Sequence, residues 1–272
     1  MLDSVHAEVT GPETGAPVLL LHGWGSSAQL MRPIAEALND TFRVHNVDLP
    51  GHGQTPAPPE AWGVPEYAAL VQAYVSRYMD APVTLVGHSN GGRIGLYMSS
   101  EPAYEGTFSR LVLVSPSGIT PPRPASYYIK TAVAKTLKAP FVWLPEPARS
   151  TGLQWVRGTL PWQLLGSSDY SALDGVMRET FVKTVTFHVD GQVGRIALPT
   201  LLFWGDQDTA VSRKQMDTLE QAVDGAGLVV LEGAGHYGYL DAAPVFNAAV
   251  RHFLQADDVG KPKGLRVNGA ED

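Results

Sequence analysis

The sequence predicts an α/β domain: a mostly parallel sheet with helices on both faces. Three observations carry this. Short runs of consecutive apolar residues recur along the chain, segments of helical periodicity separate them, and small-residue turns follow several of the runs. A strand apolar at successive positions is buried on both faces, and that is the signature of a parallel sheet covered by crossover helices.

The elements follow in order. Val18–Leu21 reads as the first buried strand, ending at His22-Gly23, and residues 29–38 as a helix with Leu30, Ile34, Ala37 and Leu38 on one side. A strand over 42–47 ends at Asp48-Leu49-Pro50-Gly51, and residues 67–79 form the next helix. Val83–Val86 is a strand, 91–99 a helix and Leu111–Val114 a strand. After Ser115 the pattern changes. Residues 119–192 hold Pro121, Pro122, Pro124, Pro140, Pro145, Pro147 and Pro161 with helix-like stretches between them. A structureless loop of that length would be anomalous, so a helical insertion is expected. The sheet resumes with strands at 200–203 and 228–231 and helices at 212–223 and 244–254. The domain reading is therefore a core of 1–118 and 195–256, a helical cap of 119–194 and a polar tail of 257–272 that is expected to be disordered. Sheets of this kind bind ligands beyond the carboxyl ends of their strands.

Composition narrows the function classes. The 272 residues are 44% hydrophobic and 17% charged, which is ample for one buried core. A net charge of -7 argues against a nucleic-acid partner, since phosphate binding needs a basic face. With no cysteine, a disulfide framework, a thiolate nucleophile and a Cys-ligated metal are excluded. Met1–Gly11 carries Asp3 and Glu8 and no apolar stretch, so no signal peptide is expected. The apolar runs are too short to span a bilayer. The expectation is a cytoplasmic protein acting on a small molecule without stable membrane insertion.

The strongest chemical signal is Gly87-His88-Ser89-Asn90-Gly91-Gly92, between an apolar strand and a helix. A serine at such a sharp turn is held with its hydroxyl raised, and the flanking glycines avoid side-chain clashes across the turn. The following helix N-terminus supplies N–H groups and a positive dipole end. A serine hydroxyl needs a base, and of eight histidines His236 lies on the loop after the 228–231 strand. The base in turn needs a carboxylate. Asp208 follows the 200–203 strand, with Asp206 two residues earlier as the alternative. The order Ser89, Asp208, His236 is the one expected for a nucleophile of this kind. The Trp24 and Asn90 N–H groups are candidates for an oxyanion hole. His88, His22 and His52 read as structural. Asp206 with Asp208 lacks a His cluster of ligand spacing, so no metal and no cofactor are expected.

Together, the His22–Gly25 turn, Asp48-Leu49-Pro50-Gly51-His52-Gly53, the turn at 87–91, Gly205-Asp206-Gln207-Asp208 and Gly235-His236 resemble the α/β-hydrolase fold superfamily. Within it, the chain is similar to capped carboxylesterases and to the carbon–carbon bond hydrolases that cleave ring-fission products. The resemblance implies an eight-stranded sheet, a helical cap and cofactor-free hydrolysis. Haloalkane dehalogenases and epoxide hydrolases share the scaffold but use an aspartate nucleophile, where this chain has Ser89. The resulting expectation is a serine hydrolase of small to medium carboxylic esters. The alternatives are cleavage of a carbon–carbon bond, a perhydrolase or haloperoxidase-like activity, and a non-catalytic receptor. Specificity falls to the insertion, where Tyr127, Tyr128, Trp143, Trp155, Trp162 and Tyr170 either line an acyl pocket or pack a core. Between Thr120 and Leu160, Arg123, Lys130, Lys135, Lys138, Arg149 and Arg157 face only Glu146. That imbalance fits a solvated lid, or a surface drawing in anionic substrates or an interface.

Overall fold

The computed structural model describes residues 1–122 and 175–256, with isolated positions between them. Its strands are β1 (Ala7–Thr10), β2 (Pro17–Leu21), β3 (Arg43–Val47), β4 (Val83–His88), β5 (Phe108–Val114), β6 (Thr200–Gly205) and β7 (Gly227–Leu231). The helices are α1 (Ala28–Leu38), α2 (Val64–Tyr78), α3 (Asn90–Ser100), α4 (Gly175–Val185), α5 (Arg213–Ala222), α6 (Gly238–Asp241) and α7 (Ala243–Gln255).

The sheet order is β1-β3-β2-β4-β5-β6-β7, with β1 antiparallel to β3 and every other pairing parallel. Seven strands stand among the described residues, one fewer than the resemblance implies. Before β1 the chain makes only the 3-10 turn Leu2–Ser4, and β1 passes directly through residues 11–16 into β2. No outer antiparallel strand is laid beside β1 by these residues.

Side-chain alternation divides the core between the two faces. Leu19, Leu21, Leu85 and Leu202 pack with α2, α3 and α5. Val18, Leu20, Val86, Phe203 and Val229 pack with α1 and α7. Both faces are covered, which is why these strands read as unbroken apolar runs. The chain goes from β2 outward to β3, then returns to place β4 on the other side of β2. The connection order thus reverses between β2 and β4, and a crevice opens beyond the carboxyl ends of strands at such a point. The turns that leave those two strands begin at His22 and Ser89.

The chain divides into two compact units, 1–121 with 179–272, and 122–178. The insertion residues singled out from the sequence, Tyr127, Tyr128, Trp143, Trp155, Trp162, Tyr170 and the six cations with Glu146, lie outside the described residues, as does the tail 257–272. No helix among the described residues is long and apolar enough to cross a membrane.

Candidate functional site

Ser89 caps α3 and sits at φ 49°, ψ −106°, a left-handed backbone that a residue with a Cβ rarely adopts. The surroundings hold it there. Its N–H donates to the Val114 carbonyl at 3.0 Å, and its own carbonyl accepts from Arg93 and Ser117, each at 3.0 Å. The glycines are demanded by close approach. A Cβ at Gly91 would lie 2.1 Å from the Leu21 carbonyl oxygen, and one at Gly87 would lie 2.8 Å from the Gly92 nitrogen. The sharp strand-to-helix turn therefore exists because α3 enters pressed against the end of β2.

The turn after β2 is tied to that serine. The Gly91 N–H donates to the His22 carbonyl at 3.1 Å, and a Cβ on Gly23 would come within 3.1 Å of Ser89 Cβ. His22, fully buried, bridges two loops. Its Nε2 accepts the Leu49 N–H at 3.0 Å and its Nδ1–H donates to the Gly23 carbonyl at 2.7 Å. This pairing needs a neutral ring, and burial, assisted by repulsion from His52, pushes the imidazole down to about 4. The Gly23–Trp24 peptide is trans. Pinning the Gly23 carbonyl therefore points the Trp24 N–H in the opposite direction within the peptide plane. Among the described residues, neither the Trp24 nor the Asn90 backbone N–H donates to a protein acceptor. Asp48, also buried, locks the loop behind this turn. Its Oδ1 accepts the Ala28 N–H at 2.6 Å and its Oδ2 accepts the Gln54 N–H at 2.9 Å.

Beyond β6 and β7 two loops come together. His236 Nδ1 lies 2.9 Å from Asp208 Oδ2. The Asp208 side chain is fully buried, and its Oδ1 accepts the N–H groups of Ala210 at 2.7 Å and Val211 at 3.0 Å. Burial alone would raise this carboxyl. The bonds from His236 and Val211 outweigh that and hold it below the ordinary carboxylate value. Asp206 does different work: its Oδ1 accepts the Gly233 N–H at 2.8 Å, clamping the loop after β7. The two loops approach so closely that a Cβ on Gly205 would fall 2.3 Å from the Ala234 and Gly235 carbonyl oxygens. The structure thus brings Asp208 to His236 and sets the His22–Gly23 turn, which Trp24 continues, against the turn of Ser89 and Asn90. No group of three or more His, Asp or Glu residues placed to hold a metal occurs among the described residues.

Two contacts escaped the sequence reading. Arg93, one turn into α3, is buried and donates from Nη1 to the Thr184 carbonyl in the last turn of α4. His88 Nε2 lies 3.0 Å from the His236 carbonyl oxygen. They join residues 91 and 148 positions apart, and no local pattern signals such a pairing.

A model of the alpha/beta hydrolase family matches residues 18–249, spanning both loops and the turn at Ser89. The chain belongs to the alpha/beta hydrolase family. Among curated relatives, this hydrolase is 25% identical over 266 residues to a pimeloyl-[acyl-carrier protein] methyl ester esterase of Neisseria meningitidis serogroup B, covering 90% of this chain and 95% of the relative. It is 28% identical over 255 residues to the protein of that name from Chromobacterium violaceum, covering 89% and 95%. Among solved structures, it matches the enol-lactonase from Burkholderia xenovorans LB400 with a TM-score of 0.69 at 20% identity, covering 93% of this chain and 96% of that one. The last likeness is one of fold.

Proposed function

We propose that this alpha/beta hydrolase is a serine esterase that cleaves small to medium carboxylic esters through an acyl-enzyme. The observation that carries the reading is the buried Asp208 carboxylate bonded at 2.9 Å to His236 Nδ1, on loops at the same carboxyl end of the sheet as the strained Ser89 turn. The relatives named as methyl ester esterases support an ester as the substrate class.

In this mechanism Asp208 holds the proton on His236 Nδ1, which leaves Nε2 free to accept the Ser89 hydroxyl proton. Ser89 Oγ bonds to the ester carbonyl carbon and the carbonyl electron pair moves onto oxygen. The Trp24 and Asn90 N–H groups stabilise that oxyanion, an interaction worth roughly 3–4 kcal/mol for one donor. The oxyanion collapses, the carbon–oxygen bond to the alcohol breaks, and His236 returns the proton to the departing alkoxide. Water, deprotonated by His236, then attacks the acyl-serine, releasing the acid and restoring the serine hydroxyl. The substrate is a small molecule, and the chemistry calls for no cofactor or metal.

Hydrolysis of p-nitrophenyl esters with two to twelve acyl carbons, by the parent and by Ser89→Ala, tests this. The expected result is turnover by the parent with a chain-length optimum and its abolition in the variant. Turnover that survives in Ser89→Ala would remove the serine from the mechanism. A parent inactive on every ester would turn the assignment towards carbon–carbon bond cleavage or ligand binding.

A further inference from the structure

His88 is the residue before the proposed nucleophile, yet nothing in the mechanism above uses it. Strand alternation decides where it points. On β4, Leu85 packs towards α2 and α3 while Val86 packs towards α1 and α7, so His88 projects to the α1/α7 side, where the chain leaving β7 returns. There its ring is 1% exposed and lies against three rings of that returning segment: His236 at 4.8 Å, Tyr237 at 4.9 Å and Tyr239 at 5.3 Å between centroids.

The hydrogen bond fixes its protonation. Nε2 meets the His236 carbonyl oxygen at 3.0 Å, and a carbonyl only accepts, so Nε2 carries the proton and donates. Nδ1 is buried without a hydrogen-bond partner, and it faces the Gly23 backbone so closely that a Cβ there would lie 2.9 Å away. One imidazole thus touches the turn after β2, belongs to the turn at Ser89 and bonds the residue that carries the proposed base. Burial, then repulsion from His236, pushes it down to about 3, so the ring stays neutral with a single N–H.

We infer that His88 is a positioning residue: its Nε2–H donates to the backbone carbonyl of His236 and so sets where the His236 imidazole stands relative to Ser89 and the Trp24 amide. This rests on the reading of His236 as general base. Asp208 fixes the ring of His236 at Nδ1, and His88 fixes its backbone. With only the first constraint the loop could shift while the Asp208 bond followed it, and a misplacement of about 1 Å costs on the order of 100-fold in rate.

The experiment has two arms. In the unaltered protein, nitrogen-15 NMR of the histidine side chains should show His88 as the neutral Nε2–H tautomer, its proton protected from exchange with water. A Nδ1–H tautomer or a freely exchanging ring would overturn the inference, whether or not any ester is turned over. In the second arm, His88→Gln offers an amide N–H that reaches the Nε2 position, whereas the amide of His88→Asn is too short. His88→Gln should retain kcat within about fivefold, and His88→Asn should lose roughly 10- to 100-fold in kcat with little change in KM. The proton shared by Asp208 and His236, read by its strongly downfield NMR signal, should persist in the Gln variant and weaken in the Asn variant. Equal rates and equal signals in the two folded variants would refute the positioning role. If His88→Asn does not fold, a folded His88→Gln that loses kcat as steeply as about 100-fold refutes it alone. A protein that fails to react through Ser89 at all refutes the esterase reading while leaving the NMR arm decisive for His88.

Discussion

Replacing Asp208 by Asn changes almost no atom positions, yet the proposed mechanism predicts a severe effect. Asp208 Oδ1 accepts two backbone N–H groups, from Ala210 and Val211, and Oδ2 accepts the hydrogen bond of His236 Nδ1–H. In the Asp208→Asn variant the amide oxygen must stay with the two backbone donors, because turning the NH2 towards them would oppose donor to donor. The NH2 then faces His236 Nδ1, which can only respond as an acceptor. The imidazole is driven to the Nε2–H tautomer and loses the lone pair meant for the Ser89 proton. A wrong tautomer of this kind costs roughly 10⁴-fold in kcat, and at about 1.36 kcal/mol per decade that is about 5.4 kcal/mol of barrier. The same bonds predict that the fold survives. The assay is kcat and KM on the best p-nitrophenyl ester, with thermal denaturation alongside. Asp206→Asn is the control, since Asp206 bonds the Gly233 N–H rather than a histidine and should keep kcat within about tenfold. If Asp208→Asn kept more than a tenth of the parental kcat, or if Asp206→Asn were the more damaging, the assignment of the acid would be wrong.

Gly23→Ala sets a Cβ 2.9 Å from His88 Nδ1 and 3.1 Å from Ser89 Cβ, so the turn must withdraw, and kcat should fall on the order of 10- to 100-fold with circular dichroism unchanged. Gly91→Ala drives a Cβ to 2.1 Å from the Leu21 carbonyl oxygen, and overpacking of that kind should lower unfolding free energy by about 1–3 kcal/mol, read from urea midpoints; an unchanged midpoint would contradict the packing described for the turn at Ser89. His22 and His88 are pushed down to about 4 and about 3, whereas in the unfolded chain they take up protons near the ordinary value of 6.5. As pH falls below 6.5 the unfolded state therefore binds more protons than the folded one, and stability drops until the folded pKa values are passed. Each unit of depression is worth about 1.36 kcal/mol. Urea midpoints at about pH 7 and about pH 4.5 should differ clearly, the acid one being lower, and equal midpoints would mean that these rings are not buried neutral.

Much of the fold was legible because burial on both sheet faces leaves a distinct mark. Val18–Leu21, Val83–Val86 and Thr200–Phe203 are almost wholly apolar, and β2, β4 and β6 contain them with only their ends extended. β1 escaped because Ala7-Glu8-Val9-Thr10 is a half-exposed edge strand with no buried residue to set a pattern. α4 falls wholly within the insertion expected over 119–194, and its bounds were not legible there because only Thr180 and Thr184 are buried on it and neither announces an apolar stripe. At the site, the spacing of Asp208 and His236 signalled loops after two adjacent strands and favoured Asp208 over Asp206, but that Asp208 meets the His236 ring while Asp206 meets the Gly233 N–H is a tertiary contact the spacing does not carry. The double bonding of His22 and the reach of His88 to the His236 carbonyl depend on residues 27 and 148 positions distant, and sequence periodicity carries no such information.

That Ser89 is a nucleophile activated by His236 is tested most directly by the intact mass of the protein after exposure to a fluorophosphonate, followed by peptide mapping. The expected result is one adduct, on the peptide bearing Ser89, absent in Ser89→Ala and formed far more slowly in His236→Ala. An unmodified protein, or an adduct on any other residue, would contradict it.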